Sequence, residues 1–207
     1  MLNEKGRAGF VMANSASDAG YSELEIRKKL IEKGVVDVII SVSSNFFYTV
    51  TLPVTLWFLN KGKKSTNDKD KVLFIDARKI YNQIDRAHRD FTPQQIEFIA
   101  NIVRLYRGQE IETEKCSKEI VEEKFPNFKY RDLEGLCKVV TVDKIRSQSW
   151  SLNPGRYVGI VRDQLTDFKF AERFKELHEQ LRSLTNEAYE LEDLLTRDAQ
   201  KLLEGFG

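Results

Sequence analysis

Histidine and cysteine are nearly missing from this sequence: His88, His178, Cys116 and Cys137 are the only ones in 207 residues. That scarcity leaves no basis for a metal cluster or for Ser-His or Cys-His catalysis. Two cysteines allow at most one bridge, so a disulfide framework is excluded as well. The apolar runs stay far below the roughly 18 consecutive residues that a bilayer span requires. No charged-then-apolar leader opens the chain, and the compartment reads as cytoplasmic. Neither sign of charge dominates, with 33 Lys and Arg against 32 Asp and Glu. A protein that holds DNA mainly through phosphates carries a clustered basic face, so most of any electrostatic grip on nucleic acid must lie elsewhere. No glycine-rich loop follows a strand pattern in the way that cradling a nucleotide needs.

What is present begins with a strand pattern from Ala8 to Ala13. A helix from Glu23 to Lys33 follows, predicted by a capping box at Ser22 and Glu25, a hydrophobic staple of Tyr21 on Ile26, and the stop at Gly34. Val35 to Val42 is a β-branched run with one charge, which suits a strand buried on both faces of a mostly parallel sheet. Strand, helix and strand in this order make a βαβ unit and an α/β fold. Two further apolar runs, Val54 to Leu59 and Val72 to Ala77, flank a charged stretch from Lys61 to Lys71 that reads as a solvated connection or hairpin.

After Arg78 helices take over. Thr92, Pro93 and Gln95 mark a helix start with a second capping box, and Phe91 with Ile96 a second staple. Ile99, Val103 and Tyr106 continue one apolar face as far as Gly108. A short helix is expected from Ser117 to Lys124, ended by Pro126, then an extended stretch around Cys137 to Val142. The last segment is the most regular. Phe170, Phe174, Leu177, Leu181, Leu184, Ala188, Leu191, Leu195 and Leu202 keep a 4,3 spacing, with Asp198 interrupting the seam. Phe168 to Glu204 carries nine acidic and six basic residues, so this helix is not a phosphate-binding rod. At 1.5 Å per residue it is about 55 Å long, more than a body of this size can cover, and it calls for a partner helix.

The adjacent aromatics Phe46, Phe47 and Tyr48 sit in a loop after a strand, where α/β folds place ligands. They either fill space beneath the loop or stack on a planar base. His178 lies off the heptad seam and reads as a surface residue.

Several stretches resemble, in order and spacing, the second half of the methyltransferase domain of type I restriction-modification modification subunits. They are Gly6 to Asn14, Glu25-Ile26-Arg27-Lys28, Asn45-Phe46-Phe47-Tyr48, Leu52 to Phe58 and Val72 to Arg78. Gly135-Leu136-Cys137-Lys138 and Ser151 to Gly159 are similar to that family's closing segment, so the resemblance covers nearly the whole chain. It implies an adenine-N6 DNA methyltransferase with a Rossmann-like fold that uses S-adenosylmethionine. Ala8 to Ala13 would be the fifth strand of the sheet, Val35 to Val42 the sixth and Val54 to Leu59 the antiparallel seventh. The family's glycine-rich cofactor motif and Asn-Pro-Pro-aromatic motif do not occur here, so no catalytic or cofactor-binding residue is expected in this chain. Val42-Ser43-Ser44 also departs from the pattern, where many relatives have a proline.

The resemblance further implies that an aromatic in the loop before the seventh strand packs against the extruded base, with Phe47 favoured among Phe46, Phe47 and Tyr48. It implies a specificity subunit and a nuclease subunit as partners, with DNA met through the complex. Phe170, Phe174, Leu177, Leu181, Leu184, Leu191 and Leu195 are the candidate subunit contacts. The expected organisation is a partial methyltransferase layer over residues 1–80, a helical and extended connection over 81–165, and an assembly helix over 166–207. Self-association through an exposed strand edge is expected too. The alternative is a non-catalytic assembly or adaptor protein with a coiled-coil arm.

Overall fold

The computed structural model describes residues 3–47, 51–160 and 167–204, and in the last stretch the side chains of 174–189, 191–192 and 195–196. The chain divides into two compact units, residues 1–161 and 162–207.

Five strands form the sheet of the first unit: β1 (Arg7–Ala13), β2 (Val36–Val42), β3 (Val54–Asn60), β4 (Lys71–Asp76) and β7 (Cys137–Thr141), in the spatial order β1-β3-β2-β4-β7. β3 lies antiparallel between β1 and β2, and β7 runs antiparallel along β4. Only β2 and β4 pair in parallel, with Ile40 opposite Ile75. The expected mostly parallel sheet is therefore corrected. β1, β2 and β4 share a direction, but β3 inserts between two of them and turns both pairings antiparallel.

All seven residues of β2 are buried, as its β-branched run predicts, because helices cover both faces of the sheet. A bulge between Val36 and Val38 lets Val36 and Ile39 share one face while Val38 and Ile40 share the other. On the first face α2 (Pro93–Tyr106) and α3 (Lys118–Lys124) bring Phe98, Ile102, Leu105 and Val121, with Phe125, onto Val38, Ile40, Leu73 and Ile75. On the second, α1 (Tyr21–Glu32), α4 (Val142–Ser147) and the following segment bring Ile31, Ile145, Leu152, Tyr157 and Val158 onto Val36, Ile39, Trp57, Val72 and Phe74. Each of these large side chains contributes about 1.5 to 3 kcal/mol on burial.

Two helix starts turn out differently. Thr92 accepts from the Gln95 backbone N–H and Gln95 reciprocates, so the capping box of α2 forms as its sequence predicts. Ile96 remains 55% exposed, so its staple with Phe91 buries little. α1 starts at Tyr21 behind Gly20, which places Ser22 inside the first turn, where its hydroxyl donates to Glu23 and caps nothing. Tyr21 at 95% and Ile26 at 61% exposure likewise form no buried staple. Gly34 does end the helix with φ at +62°, and a Cβ there would press to 3.2 Å from the Lys69 carbonyl oxygen.

The charged stretch after β3 is not a hairpin, because β2 separates β3 from β4. It is not wholly solvated either. Lys63 is 3% exposed and its ammonium donates to the Val36 carbonyl at 2.6 Å and to the Lys71 carbonyl. Burial pushes its pKa down to about 8. Asp37, the residue inside the bulge, completes the cluster by accepting from Arg107 at 2.5 Å and from Asn60 at 3.3 Å.

The described residues of the second unit form one helix, α5 (Asp167–Glu204). No helix among the described residues is long and apolar enough to cross a membrane.

Candidate functional site

Four segments meet at the end of the sheet where β2 and β4 terminate. β2 runs into Ser43–Phe47, where Asn45 adopts φ of +70° and turns the chain. The Asn45 carbonyl accepts from the Arg89 backbone N–H at 2.8 Å, which ties this loop to the short hairpin of β5 (Asn82–Gln83) and β6 (Arg89–Asp90). One position beyond the hairpin, the Phe91 ring packs on Phe46 with centroids 4.6 Å apart. Phe46 is thereby held within the fold, while Phe47 is 41% exposed. Tyr48 lies outside the described residues.

β4 ends on Asp76, whose carboxylate takes a two-bond grip from Arg78 at 2.8 and 2.6 Å. The Ala77 backbone N–H reaches back to the Ser41 carbonyl at 2.9 Å, joining the two strand ends. Beside them runs the turn at Pro154–Arg156. Its Gly155 passes so close that a Cβ would stand 3.4 Å from Arg78 Nη2. Asn153 caps that turn through Gly155 N–H at 3.1 Å and donates to Asp18 at 3.1 Å. Partial burial works against ionisation of Asp18, but bonds from Ser151 and Asn153 and the Arg156 guanidinium at 3.2 Å hold its pKa below the ordinary value. The same segment is rooted in the core. Leu152 is fully buried, Tyr157 stacks on Phe74 at 4.4 Å, and its hydroxyl donates to the Ser151 carbonyl at 2.7 Å.

Arg27, buried to 2% exposure, anchors this rim from the far side by donating to the Trp150 carbonyl at 2.8 Å and the Ala16 carbonyl at 3.1 Å. The stretch Glu25-Ile26-Arg27-Lys28 carries the family resemblance, but nothing in it signals this anchoring, because the partners are backbone carbonyls with no motif of their own. Arg89 carries no sequence signal either, because its guanidinium partners Gln83, Ser43 and Tyr81 are ordinary side chains brought to it by the hairpin and the loop after β2.

The chemistry available at the rim is that of an exposed aromatic ring beside braced cations. No group of three or more His, Cys, Asp or Glu among the described residues could hold a metal ion. Burial pushes the Cys137 thiol up to about 11, so it is no thiolate nucleophile. An open cleft of about 930 Å³ lies at the opposite end of the sheet, lined by Asp37, Asn60, Lys63, Tyr106 and Arg107 among others. Its buried charges are spent on one another and on backbone carbonyls, which marks it as a structural network.

On α5, Phe174, Leu181 and Leu184 are each 63% exposed, Leu177 48%, Leu191 54% and Leu195 70%. The Phe170 side chain lies outside the described residues. His178 is exposed, with its ring 6.4 Å from that of Phe174.

Comparison with known proteins fits this arrangement. The model of the family described as N-6 DNA Methylase matches residues 1–164. The type I restriction enzyme MjaIX methylase subunit of Methanocaldococcus jannaschii is 37% identical over 202 residues, 98% of this chain and 32% of that protein. The HindI methylase subunit of Haemophilus influenzae is 31% identical over 207 residues, 100% of this chain and 41% of that protein. The chain thus spans between about a third and two fifths of these relatives. Among solved structures, a type I restriction-modification methyltransferase subunit from Streptococcus thermophilus shares the fold with a TM-score of 0.56 at 24% identity, over 74% of this chain and 26% of that one. With the family model covering most of its length and a 37% identical relative covering nearly all of it, the chain belongs to the N-6 DNA methylase family.

Proposed function

We propose that this chain is the part of a type I modification subunit that meets the target base and the partner subunits, within an enzyme that methylates adenine N6 in DNA. In this reading β1, β2 and β3 are the fifth, sixth and seventh strands of a Rossmann-like sheet, and residues 81–165 connect it to an assembly helix over 166–207. The observation that carries it is the loop after β2, where Phe46 is locked on Phe91 and Phe47 is left with its ring exposed, as stacking on an extruded adenine requires.

S-adenosylmethionine, the methyl donor that the family implies, does not fit the residues on hand. None of the described strands leads into a glycine-rich loop, and the rim carboxylates Asp76 and Asp18 are already engaged by Arg78, Arg156 and Asn153. We therefore assign no catalytic step to this chain alone. Calorimetric titration tests the assignment, and S-adenosylmethionine should bind no more tightly than a millimolar dissociation constant, about 4 kcal/mol. Micromolar binding would overturn it.

The uncovered apolar seam of α5 supports docking against helices of a specificity subunit. It equally supports the second reading, a non-catalytic adaptor with a coiled-coil arm. Binding of adenine-containing DNA at the Phe47 rim separates the two, because an adaptor has no use for that ring.

A further inference from the structure

We propose that Arg89 and the hairpin that carries it form a phosphate-binding arm beside the aromatic loop, gripping the nucleic-acid backbone next to the base that Phe47 would stack on. The inference rests on the Phe47 reading for its ligand, but on separate residues for its evidence.

Charge comes first. The chain as a whole is nearly neutral at +1, yet between positions 78 and 90 Arg78, Lys79, Arg86 and Arg89 face two acids, Asp85 and Asp90, for a local net charge of +2. The carboxylates in and around this arm are already occupied. Asp76 holds Arg78, and Asp90 accepts from Asn82 at 2.9 Å. Asp85 accepts from the backbone N–H groups of Ala87 and His88 at 2.7 and 2.9 Å and pairs with the His88 ring, which together keep its pKa below the ordinary value. Lys79 and Arg86 are exposed, so the outward field of the arm is positive.

Arg89 is the cation that geometry singles out. Its guanidinium lies 4.1 Å from the centroid of the Tyr81 ring. Nε donates to Gln83 at 2.9 Å and Nη1 to Ser43 at 3.3 Å, while Nη2 has no partner among the described residues. A guanidinium held at Nε and Nη1 with Nη2 left open is already ordered for a single oxyanion contact, so little rotamer entropy is lost when one binds. Its backbone N–H also donates to the Asn45 carbonyl at 2.8 Å, which ties the residue to the loop that carries Phe47. The chemical class of ligand is a phosphodiester.

The test uses the whole chain and a short single-stranded oligonucleotide with 2-aminopurine in place of one adenine, titrated between about 50 and 200 mM salt. Anisotropy gives affinity and salt slope, and 2-aminopurine emission gives stacking. Arg89→Gln should weaken binding about tenfold and reduce the magnitude of the logarithmic salt slope by about 0.7, the share of one phosphate on a single strand. Arg89→Lys should keep the slope and lose part of the affinity, because the charge remains without the fork. Phe47→Ala should abolish quenching and leave the slope intact. An Arg89→Gln variant that binds more weakly with an unchanged slope, and whose 43–47 amides exchange faster, would make Arg89 a loop brace only and overturn the inference. Wild-type binding without salt dependence would overturn it too. If Phe47→Ala still quenches while Arg89→Gln lowers the slope, the stacking role falls and the phosphate arm stands.

Discussion

In the sheet body, Ile39, Leu73, Phe74 and Phe125 are all fully buried, whereas along α5 Phe174 and the seam leucines Leu177, Leu181, Leu184, Leu191 and Leu195 stand 48% to 70% exposed. Both regions follow a regular apolar pattern, one with the period of strands and short helices, the other with that of a heptad. The body closes its pattern internally because its helices cover both faces of the sheet. α5, by itself, carries a comparable stripe on a single helix with no second element of its own unit to pack on among the described residues. An apolar pattern therefore predicts burial, and it does not say whether the covering surface belongs to the same chain.

The largest expected effect falls on α5. Leu181→Glu combined with Leu184→Glu removes two seam leucines worth about 1.5 to 3 kcal/mol each when buried, so co-purification with a matching specificity subunit should fall more than about 100-fold. The melting temperature of the body should not move. Loss of both together would mean that the seam packs within the chain. The converse experiment is Phe74→Ala, which should cost the body about 3 to 5 kcal/mol in denaturant unfolding and leave association through α5 unaffected, since the residue lies under Tyr157.

A smaller effect sharpens the account of how the body holds its loops. Glu97 and Asn101, one turn apart on the buried side of α2, accept from the backbone N–H groups of Lys115, Ser117 and Glu112 at 2.6, 3.0 and 2.7 Å. Burial works against charge on Glu97, but its bonds from Ser117 and Lys115 outweigh that and lower its pKa. A lowered carboxylate contributes stability that is complete above the unfolded value near 4.5 and is lost as pH falls through the folded value. Thermal melts should show wild-type stability declining below about pH 4.5, and Glu97→Gln should flatten that decline; an unchanged acid limb would remove Glu97 as its source. The smallest contrast lies within the aromatic loop. Phe46→Ala should destabilise the body by about 1 kcal/mol and Phe47→Ala by less than about 0.5 kcal/mol, because among the described residues only the first ring packs on another ring. Equal losses in chemical denaturation would assign both rings to packing.

The elements most legible in the sequence were those whose signals are local. β2 announces itself by unbroken β-branched residues, α2 by Thr92-Pro93 with Gln95, and the end of α1 by Gly34, where positive φ admits little else. Ser22 misled because its spacing to Glu25 fits a capping box while the helix had already begun at Tyr21. The buried run Val35 to Val42 suggests a mostly parallel sheet because such runs do not encode direction; only the family resemblance gives Val54 to Leu59 as antiparallel, and the insertion of β3 between β1 and β2 is a tertiary fact. Lys63 was read as solvated because a lysine in a charged run carries no sign that two carbonyls await it. At the rim, the aromatic triplet was visible as a candidate, but the distinction between Phe46 and Phe47 arises from Phe91, more than 40 positions away.

The proposal that joins these observations is that this chain would supply the target-side rim and assembly helix of an adenine-N6 methylase but not the methyl-donor side. The most direct measurement is incubation of the folded chain with labelled S-adenosylmethionine and adenine-containing duplex DNA, with a cooperative melt recorded on the same sample. The account predicts no N6-methyladenine above a no-protein control, and its formation by the chain alone would contradict the account.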